Sequence, residues 1–136
     1  MTKQVDFSKY ANFVDGVTSD PSKDYQSFIE SVSSLNGKGA NIHRLLTAAV
    51  GISAEGGEFM EIVKKMLFQG KPWNDDNRDH LIIELGDVMW YVMQACKALD
   101  VSLDEVIAGN VEKLKKRYPG GDFDVYHSEN RAADDR

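Results

Sequence analysis

Two acidic pairs with helical spacing constrain this chain more than any other feature: Glu55-Gly56-Gly57-Glu58 and Glu84-Leu85-Gly86-Asp87. Each lies in a long stretch of 3.6-residue apolar periodicity, 40–68 and 78–99, which predicts helix. Residues three apart on a helix share a face, so each pair presents two carboxylates side by side. Bringing one helix against the other would gather four carboxylates in a small volume, where they repel unless a cation compensates them. A hard divalent ion meets that need, and Mg²⁺ prefers carboxylate oxygens and usually completes its shell with substrate phosphates. The pairs therefore point to a metal-dependent enzyme acting on a phosphorylated substrate.

The remaining chain is read around these two helices. Further helical periods and only three prolines in 136 residues predict an all-α helical bundle of single-domain size. Residues 1–39 read as a helical extension packing on the core, 40–121 as the core that carries the site, and 122–136 as a polar tail. A formal net charge of -6 with a pI near 5.0 argues against a nucleic-acid polymer as partner, since such surfaces are ordinarily basic. Cys96 is the single cysteine, which excludes an intramolecular disulfide and a multi-cysteine zinc site. The stretch Met1 to Tyr10 has no signal-peptide core, and no run reaches the ~18 to 20 apolar residues of a membrane span. A cytoplasmic protein with no membrane partner is expected.

In chain order, Phe7, Tyr10, Phe13, Val14 and Val17 have helical spacing. Asp20 followed by Pro21 predicts the start of a second helix, carrying Tyr25, Phe28, Ile29, Val32 and Leu35 on one stripe. Both aromatic stripes read as core area. Asn36-Gly37-Lys38-Gly39 is a connector; Ile42 stands where a dinucleotide loop needs glycine, and no Gly-Lys-Ser/Thr follows. In 40–68, Ile42, Leu45, Leu46, Ala49, Ile52, Phe59, Val63, Met66 and Leu67 are assigned to the packed stripe, with Glu55 and Glu58 on the opposite side. Gly56 and Gly57 each cost about 1 kcal/mol in a helix, so they predict a close helix approach at that point. Lys65, two turns beyond Glu58, is either a surface lysine or a phosphate contact. The turn-rich stretch 69–77 folds the next helix back antiparallel.

That next helix, 78–99, is apolar on nearly all sides: Leu81, Leu85, Val88, Val92, Ala95 and Leu99 on one, Ile83, Trp90 and Tyr91 on another. Such a helix is expected to be buried, and buried carboxylates such as Glu84 and Asp87 need a partner. Tyr91, one turn after Asp87, places a hydroxyl within reach of a ligand carboxylate or a phosphate. Trp90 and Cys96 read as core. Ser102-Leu103-Asp104-Glu105 is a capping box for a last helix to about Tyr118. On it Asn110, Lys113 and Arg117 form a row suited to a polyphosphate chain, or a basic helix end favoured by the dipole. The tail after Asp122 shows no helical pattern.

With these residues assembled, the chain resembles the MazG-like branch of the all-α nucleoside triphosphate pyrophosphohydrolases. The resemblance runs from about Arg44 to Arg131 and rests on Glu55-x-x-Glu58, a gap of 25 residues (59–83), Glu84-x-x-Asp87, and Asn110-x-x-Lys113-x-x-x-Arg117-Tyr118-Pro119. It implies a four-helix core, assembly as a dimer or tetramer, two or more Mg²⁺ ions with Mn²⁺ able to substitute, and cleavage between the α and β phosphates. It also implies Glu55, Glu58, Glu84 and Asp87 as metal ligands, Lys113 and Arg117 as phosphate contacts, and Glu58 as the base toward water. Short members of this kind occur in phages and bacteria, which makes a purine deoxynucleotide such as dGTP or dATP the expected substrate and the host cytoplasm the expected location of a phage-encoded member. The segment before Asn41 and the tail depart from the family pattern.

Two other readings compete. A di-iron carboxylate bundle requires Glu-x-x-His pairs, and His43, His80 and His127 each lack a glutamate three residues earlier. A metal- and nucleotide-binding regulatory module without turnover uses the same residues and differs in yielding no pyrophosphate. Asn41, His43, Trp73 and Trp90 are candidates to meet the base, and the sequence does not rank them.

Overall fold

Capping chemistry sets where the helices begin and end. In the computed structural model, which describes residues 3–134, there are seven α-helices and no strand among the described residues: α1 (Phe7–Gly16), α2 (Asp20–Lys23), α3 (Tyr25–Gly37), α4 (Ile42–Phe68), α5 (Asp75–Leu99), α6 (Leu103–Arg117) and α7 (Val125–Glu129). Among these residues no helix is long and apolar enough to cross a membrane. The chain divides into one unit up to Ile42 and another from His43.

In the first unit, Asp6 caps α1 by accepting from the Lys9 N–H at 3.1 Å. The single helix expected from Pro21 to Leu35 is two. Asp24 takes an extended backbone and caps α3, its carboxylate accepting from the Ser27 N–H at 2.9 Å and the Ser27 hydroxyl at 2.8 Å. An aspartate with a serine three residues on is a stronger start signal than the proline before it. The aromatic stripes do not form the expected core: Phe7, Tyr10, Phe13 and Tyr25 are exposed, and α1 to α3 contain no buried residue. Three short helices offer too little area to cover one another's apolar faces.

The second unit is built on α4 and α5. Gly70, at φ 71°, adopts the left-handed conformation after α4, which lets the Lys71 N–H reach back to the Lys65 carbonyl at 3.1 Å. Asn74 then caps α5 by accepting from the Asn77 N–H at 2.9 Å, with Asp75 and Asp76 favoured in the first turn by the helix dipole. The two helices run antiparallel, as successive contacts show. Arg44 Nε donates to Gln94 Oε1 at 2.9 Å, Gly51 lies against Tyr91, and Glu55 meets Glu84 and Asp87. Ser102 and Glu105 form the expected capping box of α6.

Which faces meet differs from the sequence expectation. The packed side of α4 carries Ala48, Gly51, Glu55 and Ile62, with Glu55 half-buried among them, while Leu46, Ile52 and Leu67 from the assigned stripe are exposed. The apolar band of α4 is wider than the surface α5 covers, so periodicity located its middle and the packing uses one edge. The close approach falls at Gly51 rather than at Gly56 and Gly57, where an added Cβ would meet nothing within 4 Å. α5 is likewise not enclosed: Cys96 is buried as expected, but Ile82, Leu85, Met89, Trp90 and Met93 are exposed. The tail contains the short α7, started by Asp124, which accepts from the Tyr126 N–H at 2.8 Å and contacts His127 Nδ1 at 2.8 Å. That Asp cap supplies the signal missing from the tail's hydrophobic pattern.

Candidate metal centre

Antiparallel packing puts one carboxylate of α4 opposite the pair on α5. One oxygen from each of Glu55, Glu84 and Asp87 lies within 4.8 Å of the others. Glu84 is the inner member, its side chain 13% exposed. Its Oε1 lies 3.2 Å from His80 Nε2, one turn earlier on α5, whereas its Oε2 is buried with no hydrogen-bond partner. A buried carboxylate oxygen left without a donor is costly. Withdrawal from solvent, contact with the Glu84 side chain, and the charges of Asp87, Glu84 and Glu58 together push the Glu55 carboxyl above the ordinary glutamate value.

These features fit a hard divalent cation. The donor set is all oxygen, the charge is in excess, and the buried Glu84 oxygen has no hydrogen-bond partner that a cation would displace. Glu55, Glu84 and Asp87 would hold the ion. Glu58, one turn beyond Glu55, is exposed and stands outside this group of three, yet its charge acts on Glu55.

The other expected residues are placed as follows. Tyr91 is half-buried and, with Glu55, Asp87 and Trp90, lines an open pocket of about 350 Å³. Trp90, expected in the core, is on that pocket wall, 57% exposed. Asn110 is exposed on α6, and Lys113 and Arg117 are half-buried on the same helix. Lys65 pairs with Glu61 at 3.4 Å within α4. A second cavity under the tail, bounded by Val111, Leu114, Tyr118 and Phe123, is mainly apolar and contains none of the clustered carboxylates.

Two residues beside the cluster have weak sequence signals. His80 lacks a glutamate three residues before it, but its four-residue spacing to Glu84 places the two on one helix face. Gly51 carried no motif, and only its partner Tyr91 makes it informative.

An all-α chain whose two longest helices converge on a carboxylate cluster defines a class, helical proteins with an acidic cluster that could hold a hard cation. The particular family follows from comparison: the chain belongs to the MazG nucleotide pyrophosphohydrolase domain family, whose model matches residues 44–121. Family membership implies nucleotide pyrophosphohydrolase activity. The chain is also 42% identical over 82 residues to the Gene 37 protein of Mycobacterium phage L5, covering 60% of this chain and 72% of that protein. No solved structure matches.

Proposed function

We propose that the protein hydrolyses nucleoside or deoxynucleoside triphosphates to the monophosphate and pyrophosphate, using two or more Mg²⁺ ions for which Mn²⁺ substitutes. The observation that carries this is the convergence of Glu55, Glu84 and Asp87 around a buried Glu84 oxygen without a protein partner, within the family match. Glu55, Glu84 and Asp87 would hold the ions, with Glu58 as a further ligand, and bound Mg²⁺ would supply charge neutralisation and a lowered pKa for the attacking water. Glu58 also takes the proton as the water oxygen bonds to the α-phosphorus; the bond from that phosphorus to the bridging oxygen breaks, and pyrophosphate leaves with the electron pair. Lys113 and Arg117 contact the phosphates, Arg117 through paired hydrogen bonds, while Asn110, Tyr91 and Lys65 complete the substrate contacts.

Residues 40–121 form the catalytic core in this reading, with 1–39 an extension and 122–136 a tail. The functional unit is a homo-oligomer, a dimer or tetramer. Ile82, Leu85, Met89 and Met93 recur at helical spacing on α5 and are exposed in the single chain, the pattern of a helix covered by a second copy. In this reading the protein acts in nucleotide-pool control in the host cytoplasm, on a purine deoxynucleotide such as dGTP or dATP; the phage relative supports only the phage-type setting. Incubating the protein with each of the eight common triphosphates and Mg²⁺ or Mn²⁺, then resolving the products, tests the reading. Monophosphate and pyrophosphate are expected. Release of inorganic phosphate would contradict the cleavage position, and tight binding without turnover would favour the regulatory module.

A further inference from the structure

The family match and the carboxylate cluster account for the phosphate end of a nucleotide but leave the base without a contact. Of the four side chains that the sequence offers for the base, Trp90 is the one on the pocket shared with Glu55 and Asp87. It follows Asp87 by three residues, about one helical turn or roughly 5 Å along α5. A large aromatic side chain exposed beside a charged cluster loses its favourable burial, so its place on this wall calls for an occupant. The indole also packs edge-on against a neighbouring ring. Its ring centroid lies 4.9 Å from that of Tyr91, with the two planes at 84°. Tyr91 in turn sits over the bare backbone of Gly51, where any Cβ would overlap the ring. Backbone notch, phenol ring and indole thus form a contact series that ends at the pocket.

Resting on the nucleotide-cleaving reading above, we infer that Trp90 is the stacking surface for the nucleobase, held in plane by Tyr91 and ultimately by Gly51. Stacking on an indole is tolerant of base identity because every base has a π face. Trp90 therefore supplies affinity for nucleosides over base-free polyphosphates, and discrimination among bases falls to other groups. Tyr91 is a positioning residue for the indole in addition to any contact of its hydroxyl.

The test compares Trp90→Ala and Trp90→Phe with the wild type, measuring KM and kcat for a nucleoside triphosphate and the inhibition constant of inorganic tripolyphosphate, which has phosphates and no base. Trp90→Ala is expected to raise KM roughly 5- to 100-fold, with a smaller rise for Trp90→Phe. The tripolyphosphate constant should not move. A second measurement is independent of turnover. The chain has two tryptophans, so in Trp73→Phe protein Trp90 is the sole indole, and a nucleoside monophosphate should quench it where pyrophosphate does not. An unchanged KM overturns the inference, as does an equal shift for triphosphate and tripolyphosphate, or an effect confined to the assembly state in sedimentation. If the wild type cleaves no triphosphate yet the monophosphate quenches Trp90, the proposed reaction fails and the base site stands.

Discussion

Glu84 has one oxygen on His80 and the other buried without a partner, so its neighbours would decide how well a cation at the proposed site is held. The carboxylate-to-imidazole contact orients Glu84 from outside the cluster, and loss of such support to a metal ligand typically lowers metal affinity about 10- to 100-fold. Replacing His80 by Phe should weaken Mn²⁺ binding by about that factor and leave turnover at saturating metal largely intact, as activity titrated against metal concentration would show. Glu55 gives a pH prediction. Its folded pKa is raised above the ordinary 4.5, so the fold favours the protonated form. That contribution to stability is full below the unfolded value and is lost as pH rises through the higher folded value. Without metal, thermal melts should show stability falling across that window, less steeply in Glu55→Gln protein. Adding Mg²⁺ should restore stability above it, because the ion favours the charged form.

The elements show what a sequence conveys and what it withholds. The existence of α4, α5 and α6 was legible from periodicity, and Ser102 with Glu105 marked the start of α6. The acidic pairs were legible as helix-face carboxylates from their spacing, and three of the four, Glu55, Glu84 and Asp87, come together. The face itself was not: α4 is apolar over a wide arc, and nothing in its own residues tells that Glu55 lies inside the packed edge and Leu67 outside. Nor could a lone glycine be ranked, since Gly56 and Gly57 look more unusual than Gly51 until Tyr91 is seen against it. A Gly51→Ala substitution therefore separates propensity from packing. Alanine alone would favour the helix by about 1 kcal/mol, whereas overlap with the Tyr91 ring should cost about 1 to 3 kcal/mol. Urea denaturation should show net destabilisation in the wild-type background and relief in the Tyr91→Ala background, the signature of a direct contact.

At the scale of the whole molecule, α5 exposes a stripe of apolar side chains. A stripe of Ile82, Leu85, Met89 and Met93 left in water forfeits burial that a second copy would recover, at about 25 cal/mol per Å² of apolar surface covered. Met89→Asp should shift the protein toward monomer in sedimentation velocity, and a wild type that is monomeric at micromolar concentration would remove this reading. The sequence implied the stripe by making α5 apolar on nearly every side. A single chain gives such a helix too few neighbours to be buried, which is why the expectation of enclosure failed while the periodicity held.

The carboxylate cluster as a cation centre is tested most directly by titrating Mn²⁺ into metal-free protein and following the loss of free-ion signal by electron paramagnetic resonance, for wild type and for Glu84→Gln, Glu55→Gln and Asp87→Asn. Saturable binding is expected in the wild type, weakened at least tenfold by each substitution and most by Glu84→Gln, whose oxygen is otherwise without a partner. Equal affinity in wild type and Glu84→Gln protein, or no binding to either, would contradict the assignment of these residues as ligands.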